Sequence, residues 1–246
     1  LTGITLSSAL GELGEGAFMN CASLSGSVTI PSKTRMIADG LFYGCRSLQS
    51  VTIPEGVWQI GEAAFAGNAL SSVILPSTLQ VMGDRVFDAC ARLSKVVVLS
   101  QYRPSMKNNP NGWSGFFANC PALTDIYVPA SLVNDYKGLP ATGTGWSAPG
   151  GTNYWGQYQG KITALTGKLN AAAPYYTIDA TKAEPLTAAG TMPNGAMVTI
   201  NRTGTIFFVS ASAEAAPTPA IEGYYEVIYD SQTVYVESQY IDLLLN

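Results

Sequence analysis

The sequence predicts a mainly β protein, a solenoid of short parallel strands followed by a small β-barrel. Two observations carry this reading. One segment recurs five times along the first half of the chain, and beyond residue 165 it gives way to short strand-like runs separated by turn residues. The clearest copy is Gly40 to Pro54, GLFYGCRSLQSVTIP. It is preceded by Gly16 to Pro31, GAFMNCASLSGSVTIP, with one residue added before Val28. Looser copies follow as Ala63 to Pro76 (AAFAGNALSSVILP), Arg85 to Leu99 (RVFDACARLSKVVVL) and Gly115 to Pro129 (GFFANCPALTDIYVP). Their phenylalanines, Phe18, Phe42, Phe65, Phe87 and Phe117, are 24, 23, 22 and 30 residues apart. A fixed period of this length marks a solenoid, because one coil cannot bury its own apolar face and needs a neighbour on which to stack.

Each copy ends in alternating inward apolar residues, for example Val51 and Ile53 with Thr52 between them, the period of a half-buried strand. Pro31, Pro54, Pro76 and Pro129 close these strands. Between strands the chain returns past a glycine such as Gly14, Gly61 or Gly83 and sends one phenylalanine and one leucine inward. Ile4 and Leu6 read as the strand of a preceding, truncated coil. The longer step before Phe117 predicts a surface loop over Tyr102 to Trp113, rich in Pro and Asn.

Composition excludes several functions. Of 246 residues, 47% are hydrophobic, enough for real cores, and 12% are charged with a net charge of -4, which leaves no basic surface for nucleic acid. No apolar run approaches the roughly 20 residues of a membrane-spanning helix. The chain begins at Leu1 with neither methionine nor a signal-type segment, so its natural beginning is expected to have been removed. There is no histidine, which removes the commonest general base and zinc ligand. Neither GxSxG nor a phosphate-cradling glycine loop occurs, and Glu12, Glu15, Glu55, Glu62, Asp84, Asp88 and Asp125 show no spacing that singles out a catalytic pair. The expectation is a binding protein, not an enzyme, with no cofactor and no metal.

The repeat, close to IGxxAFxxCxxLxxVxIP, resembles the BspA-type leucine-rich repeats of bacterial surface proteins over about residues 1–130. The segment after it, VPASLVNDYKG from Val128, then GWS from Gly145 and GKITAL from Gly160, is similar to the tail that closes such arrays. The resemblance implies a capped solenoid over 1–165, a secreted or cell-surface location, and adhesion to a protein or glycan on a cell, matrix or cell wall. It names no ligand.

Cys21, Cys45, Cys90 and Cys120 each stand three residues after the repeat phenylalanine, and Asn68 fills that slot in the third coil. An inward ladder of buried thiols explains the placement best; a disulfide between neighbouring coils and a metal site stay open as alternatives. Trp113, Trp146, Tyr154, Trp155 and Tyr158 crowd a glycine-rich stretch. They suit a cap over the solenoid end, or else stacking on a ligand.

Thr166 to Pro174 reads as a linker, and 174–246 as the barrel, with strands expected at Tyr175–Asp179, Met197–Asn201, Thr205–Ala211, Tyr224–Tyr229 and Thr233–Glu237. The final stretch, GYYEVIYDSQTVYVESQYIDLL from Gly223, is similar to the end of a bacterial Src-homology-3-like domain. It departs from that pattern in carrying Ser231 and Val234 where glycines are usual. The resemblance implies recognition of cell-wall peptides or proteins, with Tyr224, Tyr225, Tyr229, Tyr235 and Tyr240 as aromatic candidates.

Alternation along the solenoid strands is expected to turn Thr29, Ser50, Thr52, Ser72, Ile74, Lys95, Val97, Asp125 and Tyr127 outward. The row changes from small and hydroxylated to apolar, charged and aromatic, so Lys95, Val97, Asp125 and Tyr127, with Tyr102 and Trp113 of the loop, are the candidate binding residues. The alternatives are an accessory portion of a cell-wall enzyme and a structural spacer.

Overall fold

A computed structural model of the chain describes residues 1–100, 102–106, 115–137, 155–178, 186–203 and 223–244. The protein is mainly β, and the chain divides into two compact units: residues 1–127 with 134–162, and residues 128–133 with 163–246.

The first unit is a parallel β-solenoid. Its longer strands are β1 (Gly26–Thr29), β3 (Leu48–Thr52), β5 (Ser72–Leu75), β7 (Lys95–Val98) and β9 (Asp125–Val128), interleaved with two-residue return strands β2 (Met36–Ile37), β4 (Gln59–Ile60), β6 (Val81–Met82) and β8 (Ser105–Met106). β1 pairs with β3, and β5 with β7 and β7 with β9, all parallel. The return strands form a second narrow parallel sheet in the order β2-β4-β6-β8.

Between the two sheets each coil turns around its phenylalanine, and two backbone positions explain how. Two residues before the ring stand Gly16, Gly40, Ala63, Arg85 and Gly115, and two residues after it Asn20, Gly44, Gly67, Ala89 and Asn119; all ten have positive φ, between 50° and 105°. Glycine and asparagine take that conformation at little cost, which accounts for their recurrence in the motif. The turn aims the rings inward, where Phe18, Phe42, Phe65, Phe87 and Phe117 stack in one column with centroids 5.1 to 5.8 Å apart. Leu24, Leu48, Leu70 and Leu93 make a parallel ladder with no exposed surface.

The last coil is covered by aromatic side chains. Trp155 lies 4.9 Å from Phe116 and Tyr136 4.9 Å from Trp155, between ring centroids, and the Trp155 indole N–H donates to the Pro104 carbonyl. Tyr136 sits on α1 (Val133–Lys137). The Tyr158 hydroxyl accepts the Phe117 backbone N–H at 3.1 Å. Trp155 and Tyr158 are buried, as a cap requires; Trp113, Trp146 and Tyr154 lie outside the described residues.

After β10 (Ile162–Ala164) come β11 (Thr166–Leu169), β12 (Ala173–Ile178), β13 (Leu186–Met192), β14 (Met197–Arg202), β15 (Tyr224–Tyr229), β16 (Gln232–Glu237) and β17 (Ile241–Leu244). Among the described residues β11 to β17 form a seven-stranded antiparallel sheet in the order β13-β12-β16-β15-β14-β11-β17. The expected strand at Thr205–Ala211 lies outside the described residues. The stretch taken for a linker begins with a paired strand: β11 hydrogen-bonds to β14 on one side and β17 on the other. Its Gly167 hid that role, yet a Cβ there would collide with Ile241, so the glycine is what admits β17.

Candidate binding face

Because the repeats are parallel and in register, each outward position of a strand continues as a row across its neighbours. The first row runs from Ser27 to Ser50 and, in the next sheet, from Ser72 through Lys95 to Asp125. The second runs from Thr29 to Thr52, and from Ile74 through Val97 to Tyr127. Ser27, Thr29, Ser50, Thr52 and Ser72 are exposed, and Ile74 keeps 45% of its surface in solvent.

Toward the last coils the face closes. Lys95 and Asp125 are half-buried. Val97 and Tyr127, expected outward, are buried at 1% and 5% exposure. Period two fixes which side chains share a face, but a face is bare only where nothing lies over it. Val97 is also flanked in register by Ile74 and Tyr127. Burial pushes the Tyr127 phenol pKa upward, and the Asp125 carboxylate adds to the shift. Lys95 and Asp125, register partners of opposite charge, are brought side by side, and the Asp125 carboxylate accepts from the Thr124 hydroxyl at 2.8 Å. Tyr102 is 61% exposed on the segment between β7 and β8; Trp113 lies outside the described residues.

The sequence reading missed two features. Ser27 belongs to the exposed row but was displaced by the irregular register between Gly26 and Ser27. An open cavity of about 520 Å³ lies beside β2, between residues 11–15 and 33–39, with Glu12, Glu15 and Asp39 among its acids and Lys33 and Arg35 as its bases. A two-residue strand is too short for any periodicity to reveal it.

The cysteines stand in a ladder from coil to coil. Cys45 and Cys90 are buried, Cys21 and Cys120 half-buried, and all four are free thiols. Cys45, Cys90 and Cys120 donate S–H to the carbonyls of Phe18, Phe65 and Phe87 on the preceding coil, at 3.0 to 3.2 Å. Burial drives the Cys45 and Cys120 thiols up to about 11 and Cys90 to about 12, away from the thiolate a nucleophile needs. Among the described residues no group of three or more Cys, Asp or Glu could hold a metal ion, and no helix is long and apolar enough to cross a membrane.

The phenylalanine column, the leucine ladder and the two short parallel strands recur from coil to coil. Residues 1–109 fit the family model described as BspA type leucine rich repeat region, in six copies. Solved structures similar to the chain include a leucine-rich repeat protein from Bacteroides ovatus, 19% identical over 54% of this chain and 38% of that one, with a TM-score of 0.43. A leucine rich cell surface protein from Faecalibacterium prausnitzii is 25% identical over 52% of this chain and 49% of that one, with a TM-score of 0.38. A T. pallidum leucine rich repeat protein is 29% identical over 51% and 58%, with a TM-score of 0.40. The chain thus spans between 38% and 58% of the length of these three proteins. No curated protein matches it.

Proposed function

We propose that this protein is a secreted or cell-surface binding protein, without catalytic activity, that recognises a protein or glycan through the outward strand face of its BspA-type repeats. The observation that carries the reading is the pair of in-register exposed rows, Ser27 with Ser50 and Thr29 with Thr52, continuing to Ser72 and Ile74 and ending at the charged pair Lys95 and Asp125. A flat, repeated set of hydroxyls beside one apolar anchor and two charges suits a partner that hydrogen-bonds along its length. With Val97 and Tyr127 buried, Ile74 and Lys95 become the anchors in their place, and Tyr102 is the exposed aromatic nearest in sequence. The location and the adhesive role come from the family resemblance.

For the second unit we propose a Src-homology-3-like module that adds a recognition surface. In support, its first strand β11 pairs with its last, β17, and a 3-10 turn at Ser238–Tyr240 separates β16 from β17. Tyr235 serves the core, its hydroxyl donating to the Glu226 carboxylate at 3.0 Å, whereas Tyr224, Tyr225, Tyr229 and Tyr240 are half-buried and available to a ligand.

Probing the purified chain against glycan and protein arrays tests the proposal. The expected result is saturable capture of one ligand class, recovered chemically unchanged. Turnover of a captured ligand, or no saturable capture of any class, would overturn it.

A further inference from the structure

The two ends of the solenoid are not alike. At the far end the last coil is sealed: Trp155 and Tyr136 cover its rings, and Tyr158 takes up the Phe117 N–H. At the first coil the same kinds of residue lie open. Leu1 to Phe18 (LTGITLSSALGELGEGAF) aligns without a gap on Leu48 to Phe65 (LQSVTIPEGVWQIGEAAF). Leu48, Val57 and Ile60 have no exposed surface, whereas Leu1 and Leu10 are 61% and 39% exposed and Leu13 is half-buried. Phe18, whose counterparts Phe42, Phe65, Phe87 and Phe117 are buried, is half-buried, as is Cys21, whose counterparts Cys45 and Cys90 are buried, and Met19 is 48% exposed. Leu48 to Thr52 and Gln59–Ile60 are strands; their counterparts in residues 1–25 are not. The later segment, Leu48 to Phe65, lies between two coils, whereas residues 1–18 are followed by a coil and carry the exposed leucines.

The backbone states what kind of neighbour is wanted. Around each phenylalanine turn, alternate N–H groups donate to the next coil: Gly16, Phe18 and Asn20 to the carbonyls of Asp39, Leu41 and Tyr43, then Gly40, Phe42 and Gly44 to those of Glu62, Ala64 and Ala66. Every coil therefore presents carbonyls on its leading side and N–H groups on its trailing side. On the first coil the corresponding carbonyls, Glu15, Ala17 and Met19, receive no hydrogen bond from any described residue. This face is a row of acceptors over an apolar cross-section.

We propose that this N-terminal face is a stacking surface for one more coil of the same repeat, running in the same direction, whose trailing N–H row donates to Glu15, Ala17 and Met19. A second copy of the chain does not satisfy it. Two first coils set face to face would oppose acceptor to acceptor, and the last coil's Phe117 donor is already held by Tyr158. The inference stands apart from the ligand-binding reading, which concerns the strand face.

The test joins a copy of residues 25–47 ahead of Leu1, so that the copied Ser47 precedes Leu1 as Ser47 precedes Leu48 in the chain. The melting temperature is expected to rise by several degrees. The amides of the copied Gly40, Phe42 and Gly44 are expected to exchange slowly with deuterium, because they would donate to Glu15, Ala17 and Met19. A second version with Phe42→Asp in the copy should lose both effects while leaving the original 246 residues folded. If the unaltered copy exchanges as fast as an unstructured tail, or the melting temperature does not rise, the face does not take a coil and the proposal fails.

Discussion

Phe42 stacks on Phe65 with ring centroids 5.8 Å apart and planes 8° from parallel, although 23 residues separate them in sequence. The stack is what joins one coil to the next. Both rings are fully buried, so truncation opens a cavity between coils that neither backbone can close without breaking the N–H ladder beside it. Phe65→Ala is expected to cost about 3–5 kcal/mol in urea-induced unfolding. A loss below about 1 kcal/mol would show that the column is not the core.

Asn68 interrupts the cysteine ladder. It is 3% exposed, and among the described residues its side-chain oxygen and nitrogen have no hydrogen-bond partner. Cys45 and Cys90, in the same slot on either side, each donate to the phenylalanine carbonyl of the preceding coil. Asn68→Cys removes two buried unsatisfied groups and supplies the donor the slot uses elsewhere. Stability should rise by about 1 kcal/mol or more, read from the denaturant midpoint; a lower midpoint would contradict this reading of the slot.

The hairpin from β15 to β16 turns through Asp230 and Ser231, both with positive φ, at 47° and 64°. Tight two-residue hairpins of this hand favour Asp-Gly, because only glycine takes the second position without strain. Ser231→Gly is expected to stabilise the C-terminal unit by about 0.5–1 kcal/mol, measured as a shift in the unfolding of its amides by hydrogen exchange. No gain would mean that the serine makes a compensating contact.

Alkaline pH should loosen the fold. Burial raises Cys45 and Cys120 to about 11, and Cys90 and Tyr158 to about 12, above ordinary values of 9.0 for the thiols and 10.0 for the phenol. The folded state holds these protons more tightly than the unfolded chain. The stability they contribute is complete below about pH 9 and is lost as pH rises toward about 12. Melts between pH 8 and 12 should show that decline. At pH 8, Cys45 and Cys90 should react with a thiol reagent only at the rate of unfolding. Rapid labelling of both would contradict the ladder.

The repeat made most of the solenoid legible: the phenylalanine spacing, the alternation at Val51 to Ile53 and the closing prolines each reflect a local constraint repeated in every coil. The return sheet was not legible, since Met36–Ile37 and its counterparts are two residues long. In the second unit β13 went unread because its Ala-Ala-Gly centre has little strand propensity. That glycine, Gly190, has the Tyr175 ring lying where a side chain would stand. The outward set at the candidate face was legible as a set, but its exposure was not. Alternation placed Val97 and Tyr127 with Ile74, and only the fold determines that the first two are buried and the third is open.

Recognition on the exposed strand rows can be measured by titrating the array-identified ligand, by calorimetry, into Thr52→Ala, Ile74→Ala and Lys95→Ala proteins. Glu62→Ala serves as a control, at an exposed position just after the return strand β4. All four should melt close to the parent. Affinity is expected to fall about tenfold or more for Ile74→Ala and Lys95→Ala, less for Thr52→Ala, and not at all for Glu62→Ala. Parental affinity in all three strand-face variants would contradict it.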